Sequence, residues 1–353
     1  MVYIAKKPNK DTMYQYPPPL TSGATIAITA PSSGVPCALH PRLELVINHL
    51  QEQGYQVRLG QCLKDNVGSV SAPVEQRAAE FMAFLLDDNI AAVVPPYGGE
   101  LATEILPLLD FARLRSTRAK WLVGYSDIST LCCAMTAQAN WATVHSGCLM
   151  EWVPKQTDAL SSMILSHLRT QAEHSFVQQS SENYQAAHQD WQAHPDIPFK
   201  LGAATQWQSV NHHKTMSGRL FGGCLDILML LLDSPMMNFN CVKARHGSDG
   251  TILYLENAEL SPAALKRTLL VMKYKGIFNN INGLLLGRNA GADSAEAELT
   301  YQTVISSCFS DAAFPVFYDV DIGHKPPNLT LINGAYATVE LIGNKGTITQ
   351  RLI

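Results

Sequence analysis

The 353-residue chain carries eight cysteines but no Cys-x-x-Cys pair, so neither a zinc site nor a disulfide framework is signalled and no metal or cofactor is expected. No apolar run is long enough to cross a bilayer. The opening Met-Val-Tyr-Ile-Ala-Lys-Lys-Pro also lacks the apolar core of an export signal, which makes the cytoplasm the expected compartment. There is no basic tract and no aromatic-basic ladder, and a formal charge of −4 argues against a nucleic-acid surface. Internal repeats and low-complexity tracts are missing too. What remains is a globular chain with 46% hydrophobic residues, ample for two ordinary cores.

The hydrophobic pattern alternates. Ala24–Pro31, Tyr55–Leu59, Ala91–Val94 and Trp121–Gly124 read as short strands, and stretches such as Pro41–Leu50 between them are helical. This is the signature of a doubly wound parallel sheet, which places ligands past the carboxyl ends of its strands. From about Ser175 to Lys214 the pattern dissolves into polar residues, as in a linker or a functional loop. Alternation then resumes, with Arg219–Leu232 read as helical, Thr251–Leu255 as a strand and Ser261–Lys275 as a helix capped by Ser261-Pro262. The expected organisation is an N-terminal α/β domain (residues 1–170), an interdomain loop (171–217) and a smaller C-terminal α/β domain (218–353).

Three polar residues stand at the ends of probable strands. Ser126, in Trp121-Leu-Val-Gly-Tyr-Ser-Asp-Ile-Ser-Thr-Leu131, lies between an apolar run and an aspartate able to open a helix. A helix N-terminus there favours negative charge developing beside the serine, although Gly-x-Ser-Asp also occurs as an ordinary capped turn. Glu256 ends the β-forming run of Gly250–Glu259, and His324 follows another such run just before a proline pair that stiffens its loop. A nucleophilic hydroxyl requires a base and an acid to orient it, and Ser126, His324 and Glu256 supply the three types. A cysteine nucleophile, Cys148 or Cys224, is the alternative partner for His324.

Gly124-Tyr-Ser-Asp127, Leu255-Glu-Asn-Ala-Glu259 and Gly323-His324 resemble the LD-carboxypeptidase family of serine peptidases, which includes the microcin C self-immunity proteins. Arg77–Asp110, with Gly98-Gly99, looks like the family's diglycine loop, and Gly218-Arg-Leu-Phe-Gly-Gly223 like its second-domain glycine motif. The resemblance spans roughly residues 20 to 345. It implies Ser126 as nucleophile, His324 as general base and Glu256 as the orienting carboxylate, within an interdomain cleft. The backbone amides of Gly98, Gly99 and Asp127 are the implied oxyanion donors. Where the family usually has Asn-Leu after its second glycine pair, this chain has Cys224-Leu225, so Cys224 stands where an amide would contact substrate.

Trp191 and Trp207 stand out on the polar 175–214 segment. Such aromatics either stack on a ring-bearing ligand or pin the loop to a domain. A tryptophan-bearing loop makes the chain look more like the microcin-immunity branch, which implies a peptidyl or aminoacyl nucleotide as substrate. A murein tetrapeptide with a terminal D-residue is the alternative within the family. Outside it stands a non-catalytic two-domain binding protein. The resemblance also implies a homodimer.

Overall fold

In the computed structural model, which describes residues 14–187, 189–292 and 298–353, the N-terminal half is built on four parallel strands. Their order is Gln56–Leu59, Thr25–Ile28, Ile90–Val93 and Trp121–Leu122. The β-branched and aliphatic residues of Thr25–Ile28 and Ile90–Val93 are buried by helices such as His40–Glu52 and Val74–Leu86, so these strands read as near-continuous apolar runs. Chain order reverses between the two central strands, the position at which such sheets form a crevice. The loops leaving them carry Ser32-Ser33 and Gly98-Gly99, and Ser33 N–H donates to the Gly98 carbonyl at 3.3 Å. The opening segment read for an export signal lies outside the described residues.

The C-terminal half carries an eight-stranded sheet, against four strands in the N-terminal one. Four parallel strands form its centre: Thr215–Cys224, Thr251–Glu256, Gly283–Gly287 and Val316–Val320. Tyr336–Ile342 and Lys345–Arg351 extend one side antiparallel. The segment expected to be an interdomain loop supplies both edges. Ser175–Gln179 pairs with Lys345–Arg351, and Gln208–Ser209 pairs with Val316–Val320. Its polarity is that of edge strands, whose outer faces are wet. Arg219–Cys224 is strand rather than helix, and the helix begins only at Leu225. Gly222 and Gly223 disfavour a helix there, while burial removes the period-2 alternation that would have betrayed a strand. The Ser261 cap is present: its hydroxyl accepts from Ala264 N–H at the start of helix Pro262–Tyr274.

Among the contacts that join the halves, two bring strand against strand and helix against strand. Val144–His145 pairs antiparallel with Leu331–Ile332, and the fully buried helix Ile128–Ala134 lies on the glycine-bearing strand. A Cβ on Gly223 would stand 2.7 Å from Ser129 Cβ, and Cys133 Sγ is 3.0 Å from the Gly222 carbonyl. Only glycine permits that approach. Among the described residues, no helix is long and apolar enough to cross a membrane.

Trp207 is a core residue, 1% exposed, not a ligand platform. Its indole packs on Gly346 and donates to Asp321 Oδ2 at 2.7 Å. Trp207→Ala should therefore destabilise the fold by roughly 3–5 kcal/mol, read as a lowered midpoint in urea unfolding. An unchanged midpoint would contradict the buried placement.

Candidate active site

Ser126 sits in the left-handed region, φ 58°, a conformation rarely adopted by a residue with a Cβ and typical of a nucleophile held on a sharp strand-to-helix turn. The helix Ile128–Ala134 starts directly after it, with Asp127 in the cap position. Asp127 is held by its carboxylate: Ser32 Oγ donates at 2.5 Å and Ala102 N–H at 2.8 Å to Oδ2. One buried side chain thus ties the two switch-point loops to the serine turn. Gly98 closes the front of the site. A Cβ there would stand 2.9 Å from Ser126 Oγ and 3.0 Å from Asp127 N, so its absence opens space beside both atoms. Gly99, with φ 144°, lies instead against Ser32 and Ser33.

The structure brings the three sequence-selected side chains together across the halves. Ser126 Oγ is 3.0 Å from His324 Nε2, and His324 Nδ1 is 2.8 Å from Glu256 Oε2. Glu256 is fully buried at the carboxyl end of its strand and is enclosed by Gly287 and Gly323, where any Cβ would approach its own Cβ to 2.8 Å. Burial works to raise its pKa, but the His324 charge and hydrogen bond outweigh that, and the net direction is down. For His324, burial works to lower the pKa. Glu256, followed by Glu151 and Asp226, outweighs it, so the imidazole is held above its ordinary value.

The histidine loop hangs on a second buried carboxylate. Asp321 pairs with Arg288 Nη1 at 2.7 Å and also accepts from Ser181 Oγ and Trp207 Nε1. Arg288 donates in turn to the carbonyls of Lys325 and Pro327, on either side of the cis Pro326-Pro327 bond. Trp207 thus braces the His324 loop from within the core.

Other candidates fall elsewhere. Trp191 is half-buried, with the Arg42 guanidinium 4.3 Å from its ring centroid, and packs on the N-terminal core. Cys224 is buried beside Glu256 on the neighbouring strand, with Sγ 3.7 Å from Asp226 Oδ2. Burial pushes the thiols of Cys148 and Cys224 well up, the reverse of a reactive cysteine. Cys148 Sγ contacts the Tyr125 carbonyl, whereas Nε2 of His324 faces Ser126. Sequence reasoning missed Asp321, Arg288, Glu151 and the carboxylate of Asp127, since nothing local marks a residue whose partners lie 25 to 140 positions away. Among the described residues, no group of three or more His, Cys, Asp or Glu is placed to hold a metal ion.

A polar cavity of about 380 Å³ lies in the C-terminal half; none of Ser126, Glu256 and His324 lines it. Its lining includes Tyr184, Gln206, Asn289, Asp319 and Lys325. Lys325 follows His324 in the chain, and Asn289 accepts from Asn257, the residue after Glu256.

The chain is similar to known proteins. The chain is 24% identical to a putative carboxypeptidase of Vibrio cholerae, covering 96% of this chain and 98% of the relative. It is 21% identical to the microcin C7 self-immunity protein MccF of Escherichia coli, over 95% and 96%. With the murein tetrapeptide carboxypeptidase of Pseudomonas aeruginosa it shares 24%, over 97% and 99%. The solved structure of MccF in complex with glutamyl sulfamoyl guanosine superposes with a TM-score of 0.82 at 21% identity, covering 96% of this chain and 99% of that one. The LD-carboxypeptidase N-terminal domain matches residues 26–146 and the LD-carboxypeptidase C-terminal domain residues 217–339. The two-domain α/β chain with Ser126, His324 and Glu256 at its cleft therefore belongs to the LD-carboxypeptidase family of serine peptidases.

Proposed function

We propose that the protein hydrolyses an amide bond in a small peptide-like substrate, with Ser126 as nucleophile, His324 as general base and Glu256 as the orienting acid. The observation carrying this reading is the continuous pair of contacts, 3.0 and 2.8 Å, from Ser126 through His324 to Glu256. His324 Nε2 takes the hydroxyl proton as Ser126 Oγ attacks the carbonyl carbon. The imidazolium so formed is stabilised by Glu256 at Nδ1. The tetrahedral oxyanion is held by the N–H groups of Asp127 and the Gly98-Gly99 loop, next to the space that the missing Gly98 Cβ leaves. The imidazolium then protonates the leaving amine, and water, activated by the same imidazole, releases the acyl group from Ser126.

For the substrate we favour an aminoacyl or peptidyl nucleotide, as in microcin immunity. The 380 Å³ polar cavity, which Lys325 lines one position after His324, has room for a nucleoside-sized arm and carries tyrosines and amides suited to one. MccF structures hold glutamyl sulfamoyl guanosine and aspartyl sulfamoyl adenosine. The tryptophans give this reading no support, since Trp207 is buried and Trp191 is covered on one face by Arg42. Release of a terminal D-residue from a murein tetrapeptide is the second reading, favoured by the likeness to a murein tetrapeptide carboxypeptidase over 97% of this chain. The reading extends to a homodimer in the cytoplasm, for which the exposed Val271 and Tyr274 on helix Pro262–Tyr274 supply an apolar outer face.

Incubation with aspartyl sulfamoyl adenosine and, separately, with an L,D-murein tetrapeptide, followed by mass spectrometry, distinguishes the two. Nucleotide cleavage is expected, and D-alanine release alone would transfer the assignment to the murein peptide. In either case Ser126→Ala should reduce turnover by roughly four orders of magnitude or more; turnover at the wild-type rate would sink the triad. Gly98→Ala should lower kcat/KM by about 10²-fold or more, because its methyl group would stand 2.8 Å from Ser126 Cβ and 3.0 Å from Asp127 N and displace the serine turn beside the oxyanion position. The base must be unprotonated to act, and its pKa is raised in the fold. The acid limb of kcat/KM should therefore lie above pH 6.5, the ordinary imidazole value, and a limb below that value would contradict the ion pair with Glu256.

A further inference from the structure

Behind the imidazole lies a second carboxylate that the proposed chemistry does not use. Glu151 is 6% exposed, in the short turn Leu149–Glu151, and its Oε1 accepts from Tyr125 Oη at 2.6 Å. Its other oxygen lies against Gly147, where a Cβ would come within 2.5 Å. Tyr125 immediately precedes Ser126 in the chain, and its ring centroid is 4.9 Å from that of His324 at an interplanar angle of 58°. The imidazole is therefore held on three sides: Glu256 at Nδ1, Ser126 at Nε2 and Tyr125 across its face. Glu151 is the only acidic group in direct hydrogen-bond contact with Tyr125 among the described contacts.

We propose that Glu151, acting through Tyr125, is a second acidic positioning residue for His324. The inference rests on the reading of His324 as the base for Ser126. Glu151 fixes the tyrosine ring that sets the imidazole plane, and it adds negative charge to the side of His324 that Glu256 does not reach. A buried carboxylate in this place would be idle as a packing element, because a leucine or glutamine of similar volume would fill the turn without the desolvation cost. Its environment keeps it near the point of ionisation. Burial raises its pKa to about 7, opposed by the Tyr125 hydrogen bond, His324 and Arg42, with Asp158 adding to the rise. Facing His324 are Glu256, Glu151 and Asp226, which favour the imidazolium, and the buried His145, itself held down to about 4 by burial. Arg42 is anchored independently, donating to the carbonyls of Met150, Pro195 and Ile197 with Trp191 stacked on it.

The test is the pH dependence of Ser126 labelling by a fluorophosphonate probe, which reports the serine and its base without requiring the natural substrate. Removing negative charge beside His324 disfavours the imidazolium, so the base stays unprotonated to lower pH. In Glu151→Gln, where the amide oxygen still accepts from Tyr125, the acid midpoint of labelling should fall by roughly half a pH unit, with the plateau rate within about twofold of wild type. Tyr125→Phe keeps the ring but deprives Glu151 of the hydrogen bond that favours its ionised form, and the midpoint should fall there as well; this variant answers the question if Glu151→Gln fails to fold. A purely structural Glu151 would lower the melting temperature without moving the midpoint. Wild-type midpoints in both variants overturn the inference alone. Failure of the wild-type protein to be labelled at Ser126 overturns the reading of Ser126 and this inference with it.

Discussion

Everything in the cleft depends on how closely the helix Ile128–Ala134 lies on the strand that contains Gly222 and Gly223. The helix belongs to the half that carries Ser126, and the strand to the half that carries Glu256 and His324. A methyl group on Gly223 would meet the Ser129 side chain at 2.7 Å and push the two halves apart. The proposed proton transfer between Ser126 and His324 needs a separation of about 3 Å, which a displacement of one ångström would break. The interface glycines are therefore as much a part of the site as the side chains, although none of them reacts. Cys224 N–H, donating to Ser129 Oγ at 3.0 Å, adds a directional contact that fixes the register of helix on strand.

Two buried carboxylates hold the loops on either side of that interface. Asp127 gathers the Ser32 and Ala102 loops around the Ser126 turn. Asp321 gathers Arg288, Ser181 and Trp207 beneath the histidine loop. Asp321 is paired with Arg288, and Asp127 accepts hydrogen bonds from neutral donors, so neither is buried without partners. Loops carry function because they are free to take irregular shapes, and here a buried charge at the root of each removes that freedom where it would cost precision. The 175–209 segment has the same architectural role. Instead of bridging two domains as a slack connection, it seals both edges of the eight-stranded sheet, with Trp207 reaching into the core.

Much of this was legible in the amino-acid order because it is local. A strand at Trp121–Leu122 and a helix capped at Asp127 are written in neighbouring residues, as are the Ser261 cap and the break imposed by the proline pair after His324. The placement of Ser126, Glu256 and His324 at strand ends follows from the same short-range pattern. Arg219–Cys224 was read as helix since a strand buried on both faces loses its alternation and keeps only its apolarity. Gln208–Ser209, two residues long, has no period to detect at all.

The amino-acid sequence by itself determined the α/β alternation, the turn types and the chemical kinds of residue available at the strand ends, for these rest on backbone preference and side-chain period over a few residues. Tertiary structure alone decided which polar groups are buried together. Trp207 meets Asp321 over 114 positions, and Glu256 meets His324 over 68. Cys224 is turned inward, and Glu151 is brought to Tyr125. Burial, and with it the pKa and the role of each group, is a property of what folds over it, and no local window contains that partner.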